Sequence, residues 1–221
     1  MKKIFLLLIP VLLLFACKKE NGSARVETTI SGSKLNIKIG SSYADVYAQL
    51  QKSGQQNNIS DVDIINQKQT FNKPENIQQK FKFYSMILLQ KTGATPVGAS
   101  IAYNGDKITS ITGTGPALVT KWPQDATDET ALHVNDAVDN IYTKLLAIYK
   151  LPDYASYQIT LAYKSLIKPF DPDMANYNEW AFYITKDPKP GISGTYYIRL
   201  LFNNGKLGMI RSEYKESQVY Y

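Results

Sequence analysis

The sequence predicts an α+β protein made of two tandem α-β-β-β-β units, each a helix packed on a four-stranded antiparallel sheet. Three observations predict it. Residues 39–50 run in step with residues 134–149, so that Val46 meets Ile141, Tyr47 meets Tyr142 and Leu50 meets Leu145, 95 positions apart. Lys73-Pro74 meets Lys168-Pro169 at the same offset. Aromatic stretches (Phe81, Phe83 and Tyr84 against Trp180, Phe182 and Tyr183) and turns (Asn104-Gly105 against Asn203-Asn204-Gly205) then recur 99 positions apart. The change of offset places four extra residues in the loop after Pro169, around Asp171 to Met174.

The chain opens with Lys2 and Lys3, then an apolar run over residues 4–16. That run is too short to cross a bilayer as a helix and reads as a signal peptide, residues 1–16. It ends at Ala16-Cys17, and Cys17 is the only cysteine in the sequence. A small residue before a lone cysteine at this place resembles the lipobox of bacterial lipoproteins, although Phe15 is bulkier than the usual occupant of its position. The resemblance implies that Cys17 is lipidated and becomes the N-terminus, and Lys18 after it implies the outer membrane. Residues 17–33 then read as the lipidated cysteine and a polar, flexible tether.

The first unit spans residues 34–112. Ser41 or Ser42 can cap a helix whose Tyr43, Val46, Tyr47 and Leu50 line one face, with Gly54 as its stop. Strands are predicted over residues 61–70 and 81–84, then in a hairpin turning at Asn104-Gly105, since Asn and Gly accept positive φ. Residues 113–129, with Gly113, Gly115, Pro116 and Pro123, form a connector. The second unit spans residues 130–221: Asn135 or Asp136 caps, Val138, Ile141, Leu145 and Tyr149 form the stripe, and Pro152 ends the helix. A strand over residues 157–164 alternates as Tyr157, Ile159, Leu161 and Tyr163.

Composition excludes several functions. The formal charge of +6 falls to +4 once Lys2 and Lys3 leave with the leader, and the lysines form no basic stripe, which argues against nucleic acid. His133 is the only histidine, so no zinc site built on several histidines can be assembled, and with Cys17 lipidated there is no cysteine nucleophile. No cofactor motif is present, and the chain reads as non-catalytic. Asp171, Asp173 and Asn176 are a weak calcium candidate, because oxygen side chains at near-alternate spacing can surround that ion, but Pro172 interrupts them and no Gly supplies the bend.

The sheet faces are more informative. If Phe81, Phe83, Trp180 and Phe182 face the helices, strand alternation turns Lys82, Tyr84 and Tyr183 outward. In the last hairpin it turns Tyr197 and Arg199 outward, opposite Ile198, Leu200 and Phe202. Sixteen tyrosines against eight phenylalanines fit such wet-edged faces, and Tyr with Arg is the composition of a binding hot spot. A helix followed by a four-stranded meander, duplicated in an exported chain, resembles the beta-lactamase inhibitor protein family. It also resembles the small outer-membrane lipoproteins that use one such unit in assembling membrane barrels; PepSY-type domains share the element order. The resemblance covers about residues 35–112 and 130–213, and it departs from the inhibitor family in having no disulfides in its repeats. It implies protein binding through a sheet face, without catalysis. The expected function is therefore a lipid-anchored outer-membrane module that binds another exported or envelope protein. The alternative is a glycan- or peptidoglycan-binding module that uses Trp122 and Trp180 as exposed stacking platforms.

Overall fold

The computed structural model describes residues 25–91, 97–114 and 117–218. The predicted signal peptide and Cys17 lie outside the described residues. The first half contains β1 (Arg25–Thr29), β2 (Ser33–Lys34), β3 (Ile37–Lys38), α1 (Tyr43–Asn57), β4 (Asp61–Ile64) and β5 (Thr70–Phe71), then β6 (Met86–Lys91), β7 (Val97–Asn104) and β8 (Lys107–Thr112). Next come β9 (Leu118–Val119), β10 (Lys121–Trp122), β11 (Leu132–His133) and α2 (Val138–Ile148). The chain finishes with β12 (Tyr157–Ala162), β13 (Lys164–Ser165), β14 (Glu179–Lys189), β15 (Ile192–Asn203) and β16 (Lys206–Gln218). Short 3-10 turns fill Pro74–Ile77, Phe81–Phe83 and Pro172–Asn176.

Ser42 caps α1 as its sequence position predicts: its Oγ accepts from Asp45 N at 3.3 Å, and the Asp45 carboxylate accepts from Ser42 N at 3.4 Å. The helix runs past Gly54 and ends at Asn58, whose φ is 54°. Gly54 serves a different purpose, because a Cβ there would sit 2.7 Å from the Ile59 carbonyl oxygen. At α2 the N-cap is Ala137, which has no side-chain oxygen, while Asp136 accepts from His133 N at 2.8 Å.

The predicted tandem units do not form. Strands make up 46% of the structure and helices 21%, with α1 and α2 the only two α-helices among the described residues, so the protein is mostly β. One six-stranded sheet has the order β1-β16-β15-β14-β4-β13, and the other has β9-β8-β7-β6-β12-β5. The helix and first strand of each sequence repeat therefore sit with the last three strands of the other. One core joins Val46, Tyr47 and Leu50 of α1 to Trp180, Phe182, Leu200 and Ile210. The second joins Ile141, Leu145 and Ile148 of α2 to Ile87, Leu89, Ile101 and Ile111. We call these the C-terminal and N-terminal sheets, after β14–β16 and β6–β8.

A physical reason for the exchange lies in the links. Only Tyr163 separates β12, which pairs with β6, from β13, which pairs with β4. One residue is too short to reverse a strand onto its own neighbour, since the tightest common hairpins need two. The chain must cross instead. Residues 65–69 make the reciprocal crossing, from β4 to β5 beside β12.

The two sheets share one register. Ile101 opposes Ile111 and Leu200 opposes Ile210, and both ladders slip at the next position but one, before Tyr103 and before Phe202. Each hairpin is clipped to the helix start of the other repeat. Gly40 N donates to Leu207 O and Leu207 N to Ser41 O, at 2.7 and 2.9 Å. Asn135 N donates to Ile108 O and Ile108 N to Asp136 O, both at 2.9 Å. Gly40 and Asn135, with φ of 87° and 74°, make the same left-handed turn. The ladder also corrects one alignment: Ile87 and Leu89, not Phe81 and Phe83, correspond to Trp180 and Phe182, since each pair faces the matching residues of the next strand. The stretch read as a tether supplies β1, laddered on β16 from Arg25 to Thr29, and the connector supplies β9 and β10.

Candidate binding face

The inner face of the C-terminal sheet is closed by α1. Alternation along β14, β15 and β16 puts Trp180, Phe182, Ile198, Leu200 and Ile210 inward, and all are buried. The same alternation turns Glu179, Tyr183, Tyr197, Arg199, Leu201, Met209, Arg211 and Glu213 outward, where they are half-buried or exposed. Tyr183 opposes Tyr197, and their rings stack at 4.8 Å with 28° between planes. Tyr183 keeps 56% of its surface in water. Arg199 directly opposes Arg211 across the β15–β16 ladder.

Each arginine has one carboxylate. Arg199 Nε donates to Glu179 Oε1 at 2.6 Å, and Arg211 Nη2 lies 3.1 Å from Glu213 Oε1. The Glu179 carboxylate beside Arg199 raises the pKa of its guanidinium further. Arg211 Nε is buried and has no acceptor. Salt bridges this exposed add little to stability, but they do hold long side chains in one place.

The N-terminal sheet supplies an internal comparison. Its ladder places Gln90 opposite Gly98, and Ser100 opposite Thr112, where the C-terminal sheet has Tyr183 opposite Tyr197 and Arg199 opposite Arg211. Gly98 allows a close crossing there, since a Cβ would come within 1.7 Å of the Leu89 carbonyl oxygen. The backbone at Gly98 thus differs from that at Tyr197, while Gln90, Ser100 and Thr112 occupy the same ladder places as Tyr183, Arg199 and Arg211.

Of the five residues expected on an outward face, Tyr183, Tyr197 and Arg199 come together on this one. Tyr84 does not. It is 1% exposed, its hydroxyl donates to Asp171 Oδ2 at 3.4 Å, and Gln67 Nε2 donates to it at 3.1 Å. Burial is the main cause that pushes its pKa up. The reason is local: Phe81–Phe83 coil into a 3-10 turn, so strand alternation does not apply to Tyr84. Lys82 is exposed on that turn, over the Phe83 ring at 4.9 Å, and lines a groove of about 650 Å³ with Phe81, Asp106, Tyr142 and Lys168.

Both tryptophans are buried, against the expectation of exposed stacking platforms. Trp180 is fully enclosed, and its Nε1 donates to Met174 O at 3.3 Å. Trp122, 6% exposed, packs against Tyr154 and Tyr157 at 5.3 and 5.7 Å. The calcium candidate is corrected as well. Asp171 and Asp173 both accept from Lys80 Nζ, with both Asp171 oxygens 3.1 Å away, and Asn176 is exposed at the end of its 3-10 turn. The lysine supplies the positive charge that these carboxylates need. Among the described residues no three His, Cys, Asp or Glu side chains are grouped to hold a metal ion. His133 lies in a charge cluster with Asp128 at 3.4 Å, Asp136 at 3.7 Å and Lys144 at 3.3 Å.

Sequence reasoning missed two groups. Arg211 belongs to the face but sits just past the hairpin bulge, where simple alternation from the turn loses count. The other is Lys164, 1% exposed at the joint between the two bodies. Its ammonium donates to Phe83 O and Pro169 O, each at 2.6 Å, and lies 5.0 Å from the Tyr47 ring and 5.7 Å from the Tyr84 ring. Burial pulls its pKa down to about 7, Lys168 adds to the effect and Asp171 opposes it. The ladder partner of Lys164 is Val62, and the matching residue in the other sheet is Phe71 opposite Ile159, which gives no hint of a charge.

No protein-family model, curated protein or solved structure matches the chain.

Proposed function

We propose that the chain is a non-catalytic binding module of the cell envelope that captures another exported protein on the outer face of its C-terminal sheet. One observation carries this reading: two sheets of the same order and register differ on their outer faces. Tyr183, Tyr197, Arg199 and Arg211 stand where the sister sheet has Gln90, Gly98, Ser100 and Thr112. Folding does not require the larger residues, and Tyr and Arg are the types that dominate binding energy when a partner desolvates them. The Glu179 and Glu213 contacts hold both guanidiniums before a partner arrives, which lowers the entropy cost of binding.

The lipobox resemblance adds an address, the outer membrane, with the lipid on Cys17. Arg25 begins β1 on the edge of this same sheet, eight positions after Cys17. A chain of that length spans at most about 30 Å, which would keep the face near the membrane surface. Inhibition, immunity or accessory assembly are roles that such a tethered module would serve.

The test is capture from envelope extract by the chain from residue 25 onward, with a Tyr183→Ala/Arg199→Ala variant and a Ser100→Ala/Thr112→Ala variant beside it. The proposal expects one protein retained by the parent chain and the sister-face variant and lost with the first variant. Retention unaffected by the Tyr183 and Arg199 changes would refute this face.

A further inference from the structure

The opposed arginines define what the partner must bring. Like charges directly opposite on a ladder repel, and the sister sheet avoids this with Ser100 and Thr112 at the same two places. Arg199 contacts Glu179 through Nε, and Arg211 contacts Glu213 through Nη2. A guanidinium carries five N–H donors in a planar fork, so each retains donors for a further acceptor.

The carboxylates stand around this pair and not between its members. Glu179 lies at the start of β14, Glu213 lies one row away opposite Tyr197, and Asp63 lies beyond Ala181 on β4. The face therefore sets its two arginines among Glu179, Glu213 and Asp63, with Lys215 two residues beyond Glu213 on the same face and the Tyr183–Tyr197 stack as an apolar wall. Its complement is a protein surface with one acidic side chain at its centre and basic groups around it.

We infer that the partner seats an Asp or Glu carboxylate against the opposed residues Arg199 and Arg211. This rests on the binding-face reading above. A planar carboxylate can take two parallel N–H bonds from a guanidinium, and the neighbouring tyrosine rings shield such a contact from water. Carboxylates on the rim select against a uniformly acidic partner.

Short random peptides displayed on phage, selected on the immobilised chain from residue 25 onward, test this. Variants Arg199→Gln/Arg211→Gln and Tyr183→Ala/Tyr197→Ala serve as comparisons, each first checked for unchanged thermal unfolding. The inference expects selected peptides with an Asp or Glu flanked by Lys or Arg. Their affinity should fall about tenfold or more with the Arg variant, a loss typical of a hot-spot contact. Peptides that need Tyr183 and Tyr197 but carry no acidic residue, or that bind the Arg variant equally well, would overturn the acidic partner and leave the face. Peptides indifferent to both variants would overturn the face itself.

Discussion

Tyr163 carries the whole crossover from one sheet to the other at a φ of 53°, a left-handed conformation that costs a bulky L-residue free energy. Two residues past the matching strand, Asn66 makes the equivalent turn at 63°, and Asn tolerates it. Tyr163 is 63% exposed, so little packing offsets the strain. Tyr163→Asn should raise the unfolding free energy by roughly 0.5–1 kcal/mol, read from urea melts. Beside it, Lys164 links stability to pH. In the folded chain this amine loses its proton near pH 7, whereas in the unfolded chain it keeps it to about 10.5. Between those values the unfolded state binds more protons, so stability rises with pH, and it is lost as pH falls through 7. Burial raises the pKa of Tyr47, Tyr84 and Tyr103, so above about pH 10 the unfolded tyrosines ionise first and stability declines. Urea midpoints across pH 6 to 11 should therefore peak between about 8 and 10. Lys164→Met should flatten the rise on the acid side without moving the decline.

At the scale of elements, the two helices differ in how they begin. Ser42 and Asp45 form a reciprocal cap on α1, while Ala137 leaves the first turn of α2 without a side-chain acceptor, although its extended backbone matches that of Ser42. Ala137→Ser should stabilise the protein by about 0.5–1 kcal/mol, and Ser42→Ala should cost about 1 kcal/mol, both measurable by thermal unfolding. Much at this scale was legible in the sequence: the helical stripes at Val46 and Leu50 and at Ile141 and Leu145, the turns at Gly105 and Gly205, and the inward Trp180 and Phe182. These rest on local periodicity and turn chemistry. Strand character at Phe81–Phe83 was misread because two aromatics at spacing two also fit a 3-10 turn whose Phe81 is buried. On the face, Tyr183, Tyr197 and Arg199 followed from alternation, Tyr84 failed with its element, and Arg211 was hidden by the bulge.

For the whole molecule, the sequence repeats do not fold as two tandem α-β-β-β-β units, because local pattern says nothing about which repeat's helix covers which repeat's sheet. Both pairings bury the same stripes on the same kinds of face. The short link at Tyr163 carries the chain from one sheet to the other, and the result is a chain whose halves are laced together at the Lys164 joint and at the two hairpin clips. The exchange sets both cores, and it also sets which strands carry the aromatic and arginine face next to β1. It can be measured directly. Ser42 lies opposite Lys206 in the structure, and Ala137 opposite Lys107. Contiguous units would instead place Ser42 opposite Lys107. In the chain from residue 25 onward, which lacks Cys17 and so has no other cysteine, Ser42→Cys/Lys206→Cys should form a disulfide on mild oxidation, and Ser42→Cys/Lys107→Cys should stay reduced. The reverse outcome, a bond between positions 42 and 107, would contradict the exchanged fold.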